Sequence, residues 1–198
     1  MKEKKLLLIF IKNPEKGKVK TRLAKTMGDE KALRIYLKLL NHTIEVASKS
    51  DAQKQIWYSS FVDESDGFGG VNFEKKIQRG ENLGDRMLNA FQEGFDEHFE
   101  KIVIIGSDCP GISTRIIDDS FAKLDQDDVV IGPSEDGGYY LLGLNQLIPE
   151  IFNDISWSTE SVFSETVKIL KNKDLYFGEL VTLNDIDTEE DLRNSDFE

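Results

Sequence analysis

Cysteine is nearly absent from this chain of 198 residues, which has Cys109 alone. An internal disulfide and a cysteine-built zinc site are therefore excluded, and a reducing compartment is the natural setting. Long apolar runs are also missing. The longest strong one, Leu6 to Ile11, falls far short of the ~20 residues that span a bilayer. It is too short for a secretory signal core as well, and no small-residue cleavage site follows, so the expected location is cytoplasmic, with no membrane span. Histidine is limited to His42 and His98. Both fall on helical patterns without a serine or cysteine partner, so neither is expected to be catalytic. With 4 prolines, 39% hydrophobic and 31% charged residues, the composition is that of a soluble globular protein. The length suits one α/β domain spanning 1–198, and no repeat, low-complexity tract or linker divides it.

Positive charge is scarce except at one place. The net charge is −12, which argues against nucleic acid as a partner, because phosphate-backbone affinity needs an extended basic surface. Yet residues 1–25 carry eight lysines and Arg22 against Glu3 and Glu15, a local excess of +7 in an otherwise acidic chain. A compact positive spot suits a small polyphosphate better than a polymer.

That spot follows the first strand. Lys5 to Ile11 reads as a strand covered on both faces. Lys12-Asn-Pro-Glu-Lys-Gly-Lys-Val-Lys-Thr-Arg22 is then a basic loop, and Leu33, Tyr36, Leu37, Leu40, Ile44 and Ala47 recur at helical spacing over about 29–48. A loop between strand and helix favours anions. Lys12, Lys18, Lys20 and Arg22 supply charge, Gly17 allows close backbone approach, and Thr21 offers a hydroxyl donor. The loop is neither GxxxxGK[ST] nor GxGxxG. Its alternative is a solvated lysine-rich loop.

Further along, strands are expected at 55–59, 71–78 (after the turn 67–70), 102–105, 129–131 and 139–144, with a last extended segment at 175–183. Helices are expected at about 83–99, capped by Asn82, after Ser113 or Thr114, and at about 160–172. The alternation implies a mostly parallel sheet with helices on both faces, whose ligands bind beyond the carboxyl ends of strands. Asp108 stands at such an end, in Gly106-Ser-Asp-Cys-Pro-Gly111. It is a candidate ligand for Mg²⁺ or Mn²⁺, or else a turn cap. In Asn184-Asp-Ile-Asp-Thr-Glu-Glu-Asp191, the Thr188 to Asp191 spacing is that of a capping box. Asp185 and Asp187 are left over, and either could complete a metal site with Asp108. In Ser134-Glu-Asp-Gly-Gly-Tyr-Tyr140, Asp136 could meet an incoming hydroxyl, unless the segment is an ordinary hairpin-like turn. Trp157 is a pocket wall or simply a buried aromatic.

Taken together, Lys18-Val-Lys-Thr-Arg-Leu23, Gln78-Arg-Gly-Glu-Asn-Leu-Gly-Asp-Arg-Met87, Gly106 to Gly111, Gly132 to Tyr140 and Asp185 to Leu192 resemble a known family. They are similar to small bacterial GT-A-like transferases of the nucleotide-diphospho-sugar transferase superfamily, related to molybdenum-cofactor and phospholactate guanylyltransferases. The resemblance spans nearly the whole chain and implies a single Rossmann-like GT-A domain. It implies that the basic loop meets the phosphates, that Gln78 and Gly80 lie near the base, and that Ser107 belongs to the nucleotide site. It puts Asp108 at the metal position and Asp187 at the second acidic position. Unlike many glycosyltransferases, the chain has one aspartate in Gly-Ser-Asp-Cys instead of Asp-x-Asp. The expected activity is metal-dependent glycosyl transfer from a nucleotide-diphospho-sugar, with Asp108 and Asp136 catalytic. The alternatives are nucleotidyl transfer that releases pyrophosphate and a non-catalytic nucleotide-binding or partner module.

Overall fold

The computed structural model describes residues 4–68, 70–195 and 197, with Val71 described by its backbone alone. Gly69, inside the expected 67–70 turn, lies outside the described residues. Seven strands form one sheet in the order β3-β2-β1-β4-β6-β5-β7. They are β1 (Lys5–Ile11), β2 (Gln53–Tyr58), β3 (Phe73–Ile77), β4 (Lys101–Ile105), β5 (Val129–Pro133), β6 (Tyr139–Leu144) and β7 (Phe177–Glu179). Every neighbouring pair is parallel except those made by β6, which runs antiparallel to β4 and to β5.

The uninterrupted apolar run of β1 follows from its central place. Leu7, Ile9 and Ile11 face one core and Leu6, Leu8 and Phe10 the other, because side chains alternate across a strand. The first core packs under α2 (Asp29–Ser48) and α4 (Thr114–Lys123). The second packs under α3 (Leu83–Asp96) and α5 (Val162–Asn172). Helix α2 buries Ala32, Ile35, Tyr36, Leu39, Leu40, Thr43, Val46 and Ala47, the stripe its period predicts, and Asp29 and Glu30 complement the dipole at its start. Asn82 caps α3 by accepting from the Asp85 amide at 3.0 Å, and Ser113 caps α4. Among the described residues, no helix is long and apolar enough to cross a membrane.

The structure adds one helix and shortens several elements. Thr21 and Arg22 are not loop residues. They open α1 (Thr21–Met27), which Gly28 separates from α2 at φ 81°. Leu23 is fully buried with Ala32, Ile35, Leu39 and Ile186. Two turns hold too few apolar positions to reveal a period, so α1 is set by this tertiary contact. The residues before β3 form a short 3-10 turn at Gly70–Asn72, α3 stops at Asp96, α5 starts at Val162, and only Phe177–Glu179 of the last extended segment joins the sheet.

Asn13, directly after β1, fastens the neighbouring loop. Its Oδ1 accepts from the amides of Ser60 at 2.9 Å and Phe61 at 3.4 Å, and its Nδ2 donates to the Phe61 carbonyl at 2.8 Å. The side chain is buried, so truncation strands these groups without water. Asn13→Ala is expected to cost roughly 1–3 kcal/mol in urea unfolding.

Candidate active site

The carboxyl ends of β1 and β4, the turn between β5 and β6, and the segment before α6 (Glu189–Asn194) meet over one edge of the sheet. Two contacts bring them into register. The Ile186 amide donates to the Asp108 carbonyl at 3.1 Å, docking the acidic segment on the β4 turn. The Tyr36 hydroxyl lies between the Lys12 backbone and Ser107. It donates to the Lys12 carbonyl at 2.8 Å, accepts from the Lys12 amide at 2.9 Å, and sits 3.2 Å from Ser107 Oγ.

At the centre is Lys20, in left-handed backbone geometry at φ 47°. Its side chain is 3% exposed, and its ammonium lies 3.1 Å from Asp108 Oδ1 and 3.0 Å from Asp187 Oδ1. Burial alone would depress its pKa, but Asp108 and Asp187 outweigh that and raise it. Lys20 therefore stays charged and holds the two carboxylates toward one point. Asp185 stands beside them. Burial first, and the negative field of Asp108 second, push its carboxyl up to about 7. Its Oδ1 is buried without a hydrogen-bond partner.

Among the described residues, no group of three or more His, Cys, Asp or Glu side chains is already arranged to hold a metal ion. The donor chemistry nevertheless fits a hard divalent cation. Carboxylate oxygens are its preferred ligands, and the unpartnered Asp185 Oδ1 is an acceptor that no protein donor satisfies. Asp108, Asp185 and Asp187 are the residues that would hold it.

A cavity of about 890 Å³ opens onto these groups. Of the residues singled out from sequence, Lys12, Arg22, Gln78, Ser107, Asp108, Asp136, Asp185, Asp187 and Trp157 line it. Gly17, Lys18, Lys20, Thr21 and Gly80 are not in its wall. Lys18 is exposed and pairs with Glu15 at 2.9 Å. Gly80 packs on the start of α3, where an added Cβ would lie 2.6 Å from Asp85 Cβ. Gln78 donates to the carbonyls of Ile11 at 3.1 Å and Trp57 at 2.8 Å, tying together the ends of β1 and β2.

Asp136 sits in a hairpin turn. Its Oδ1 accepts from Ser134 Oγ at 2.5 Å and from the Gly138 amide at 3.0 Å. The turn in turn packs on the far wall, since a Cβ on Gly137 would come within 2.1 Å of the Glu160 carbonyl. Trp157 closes that wall against α3 at a glycine, Gly84, whose added Cβ would meet Trp157 Nε1 at 2.3 Å. Thr188 and Asp191 form the expected capping box. Glu81 and Arg86 also line the cavity, although the sequence assigned them no role. Their only signal was membership of the segment from Gln78 to Met87.

Cys109 is 2% exposed, and burial together with Asp185 pushes its thiol up to about 12. It is expected to resist dithionitrobenzoate in the folded protein at pH 8 and to react stoichiometrically once urea unfolds the chain.

A candidate nucleotide-diphospho-sugar transferase from Desulfovibrio desulfuricans G20 superposes with a TM-score of 0.90 at 32% identity, over 96% of this chain and 85% of that one. A 2-phospho-L-lactate guanylyltransferase from Methanocaldococcus vulcanius is 33% identical over 130 residues, which is 62% of this chain and 57% of the relative's length. Rv0371c from Mycobacterium tuberculosis H37Rv, solved with manganese, shares the fold at a TM-score of 0.54 and 14% identity, over 98% of this chain and 97% of that one. The sheet and helices are those of nucleotidyl- and sugar-transferase folds. Residues 40–159, more than half of the chain, match the family described as "Uncharacterized protein conserved in bacteria (DUF2064)", and the chain belongs to that family.

Proposed function

We propose that the protein is a divalent-metal-dependent transferase that binds a nucleotide-diphospho-sugar and passes its glycosyl group to an acceptor. The observation that carries this reading is the convergence of Asp108, Asp185 and Asp187 around Lys20, beside Lys12 and Arg22 in one cavity. When bound, Mg²⁺ or Mn²⁺ would neutralise charge on the leaving phosphates. Lys12 and Arg22 hold those phosphates, and Lys20 keeps Asp108 and Asp187 aimed. Asp136 has one oxygen committed to its turn, and among the described residues the other takes no hydrogen bond, which leaves it to orient the acceptor hydroxyl or take its proton. The cavity wall carries Lys12, Arg22 and Arg86 against six carboxylates. That balance suits a diphosphate donor better than the more highly charged triphosphate. The relative from D. desulfuricans, similar over nearly the whole chain, supports the same donor class.

A second reading, nucleotidyl transfer, is favoured by the guanylyltransferase relative. The two separate in one pair of assays with Mn²⁺. Metal-dependent hydrolysis of nucleotide-diphospho-sugars without pyrophosphate–NTP exchange supports glycosyl transfer. Exchange without hydrolysis would replace it with nucleotidyl transfer. Neither activity, with nucleotide binding intact, would leave a binding module.

A further inference from the structure

The cations of the cavity wall all come from one part of the chain. Lys12 follows β1, Arg22 belongs to α1 and Arg86 to α3. The stretch from the β5–β6 turn to the start of α5 is different. Among the lining residues from 134 to 162 there is no lysine, arginine or histidine, but there are two carboxylates, Asp136 and Glu160. Their backbones adjoin, since a Cβ on Gly137 would meet the Glu160 carbonyl. Glu160 is exposed, and among the described residues no hydrogen bond or ion pair engages its carboxylate. The start of α5 would otherwise attract an anion, but its first amides are taken. The Val162 amide donates to the Thr159 carbonyl at 3.4 Å and the Phe163 amide to the Gly137 carbonyl at 2.9 Å. Beside these groups Trp157 is fixed in the wall. Its Nε1 donates to the Phe152 carbonyl at 3.4 Å, and its ring stands edge-on to Tyr139 at 6.4 Å. An indole beside an unpaired carboxylate is the combination that holds an organic ammonium.

Resting on the reading above that the cavity passes a glycosyl group from a nucleotide donor, we infer that the acceptor is a hydroxylated amine of the amino-sugar class. Its ammonium sits at Glu160 and Trp157 while one of its hydroxyls faces Asp136. That hydroxyl oxygen forms the new bond to the anomeric carbon as the bond to the diphosphate breaks, and its proton passes to Asp136. The ammonium does not react, so the charge that selects the acceptor is separate from the group that is glycosylated. Phosphorylated and carboxylated acceptors are refused by the same two carboxylates.

The test compares glucosamine, glucose and glucose 6-phosphate, which share one ring and differ in charge, as ligands of the full chain and of Glu160→Gln and Glu160→Lys. Saturation-transfer NMR titrations are run at mildly acidic pH, with Mg²⁺ and an equimolar mixture of GDP, ADP, CDP and UDP filling the donor side. Melting curves confirm that each variant is folded and record the shift that the diphosphates produce. Wild type is expected to bind glucosamine at least about threefold more tightly than glucose, and glucose at least about tenfold more tightly than glucose 6-phosphate. Glu160→Gln should bring glucosamine level with glucose. Glu160→Lys should strengthen glucose 6-phosphate at least about threefold, and in both variants the diphosphate shift should stay that of wild type. A wild-type preference for glucose 6-phosphate, no preference among the three, or no binding of any of them overturns the inference. So does a preference for glucosamine that survives Glu160→Gln. If the diphosphates shift no melting curve, the nucleotide reading itself fails and the inference with it.

Discussion

Asp108→Asn is expected to lower metal-dependent hydrolysis of the preferred nucleotide-diphospho-sugar by about two to three orders of magnitude, the usual cost of removing a charge aimed at a reacting phosphate. Asp108 is one of two carboxylates held by the Lys20 ammonium, and its side chain remains 37% exposed at the cavity floor. Asparagine keeps the shape and one neutral oxygen but removes the charge that a divalent ion requires. The fold should tolerate the change. Asp187 still neutralises Lys20, and a partly hydrated pair is worth at most about 1 kcal/mol. The melting temperature is therefore expected to move by only a few degrees while turnover collapses. Unchanged turnover in Asp108→Asn would sink the metal assignment. A collapse of both together would instead place Asp108 in the stability of the fold.

The largest effect on stability is expected far from that floor, at Asp66. Its carboxylate is 6% exposed and lies 2.8 Å from the ammonium of Lys75, which is 11% exposed. The Tyr58 hydroxyl donates to its second oxygen at 2.5 Å, and Lys75 also donates to the Asp63 carbonyl at 2.6 Å. These contacts fasten residues 63–68 to β2 and β3. Asp66→Ala leaves a buried ammonium with no carboxylate and a phenol with no acceptor. A loss of about 3–5 kcal/mol is expected in urea unfolding, a large share of the roughly 5–15 kcal/mol that typically holds a domain together. Asp66→Leu combined with Lys75→Met should recover much of it, because two apolar groups leave no charge unpaired. If the double variant is no better than the single, the loss comes from loop packing and the ion pair is incidental.

Much of this architecture was readable along the chain, for identifiable reasons. β1 declared itself because both of its faces are covered, which demands six consecutive apolar residues. Helices α2 and α3 were legible because each is long enough to repeat its buried stripe, and α3 begins at a side-chain cap. Helix α1 was not, since seven residues give Leu23 and Met27 no room to repeat. In the site, Asp108 stood out as a carboxylate at a strand end, with a turn cap as its alternative, and Asp185 and Asp187 as the two that the capping box left unexplained. Lys20 was read as one more cation for phosphate. Its commitment to Asp187 spans 167 positions of sequence, and no local pattern encodes such a contact. Arg86 gave no signal for a related reason. Its place in the cavity wall is defined only by the folded arrangement.

The order of the strands also decides how this protein meets its neighbours. One margin of the sheet is β3, where Glu74, Lys75 and Lys76 follow one another and Lys76 gathers Glu74, Glu93 and Glu97 around its ammonium. The other margin is β7, only three residues long. A charged border and a stub both make poor templates for adding a strand from another molecule. The open backbone of the sheet is thereby guarded at its two sides, and association between copies that extended the sheet strand by strand is disfavoured from either direction.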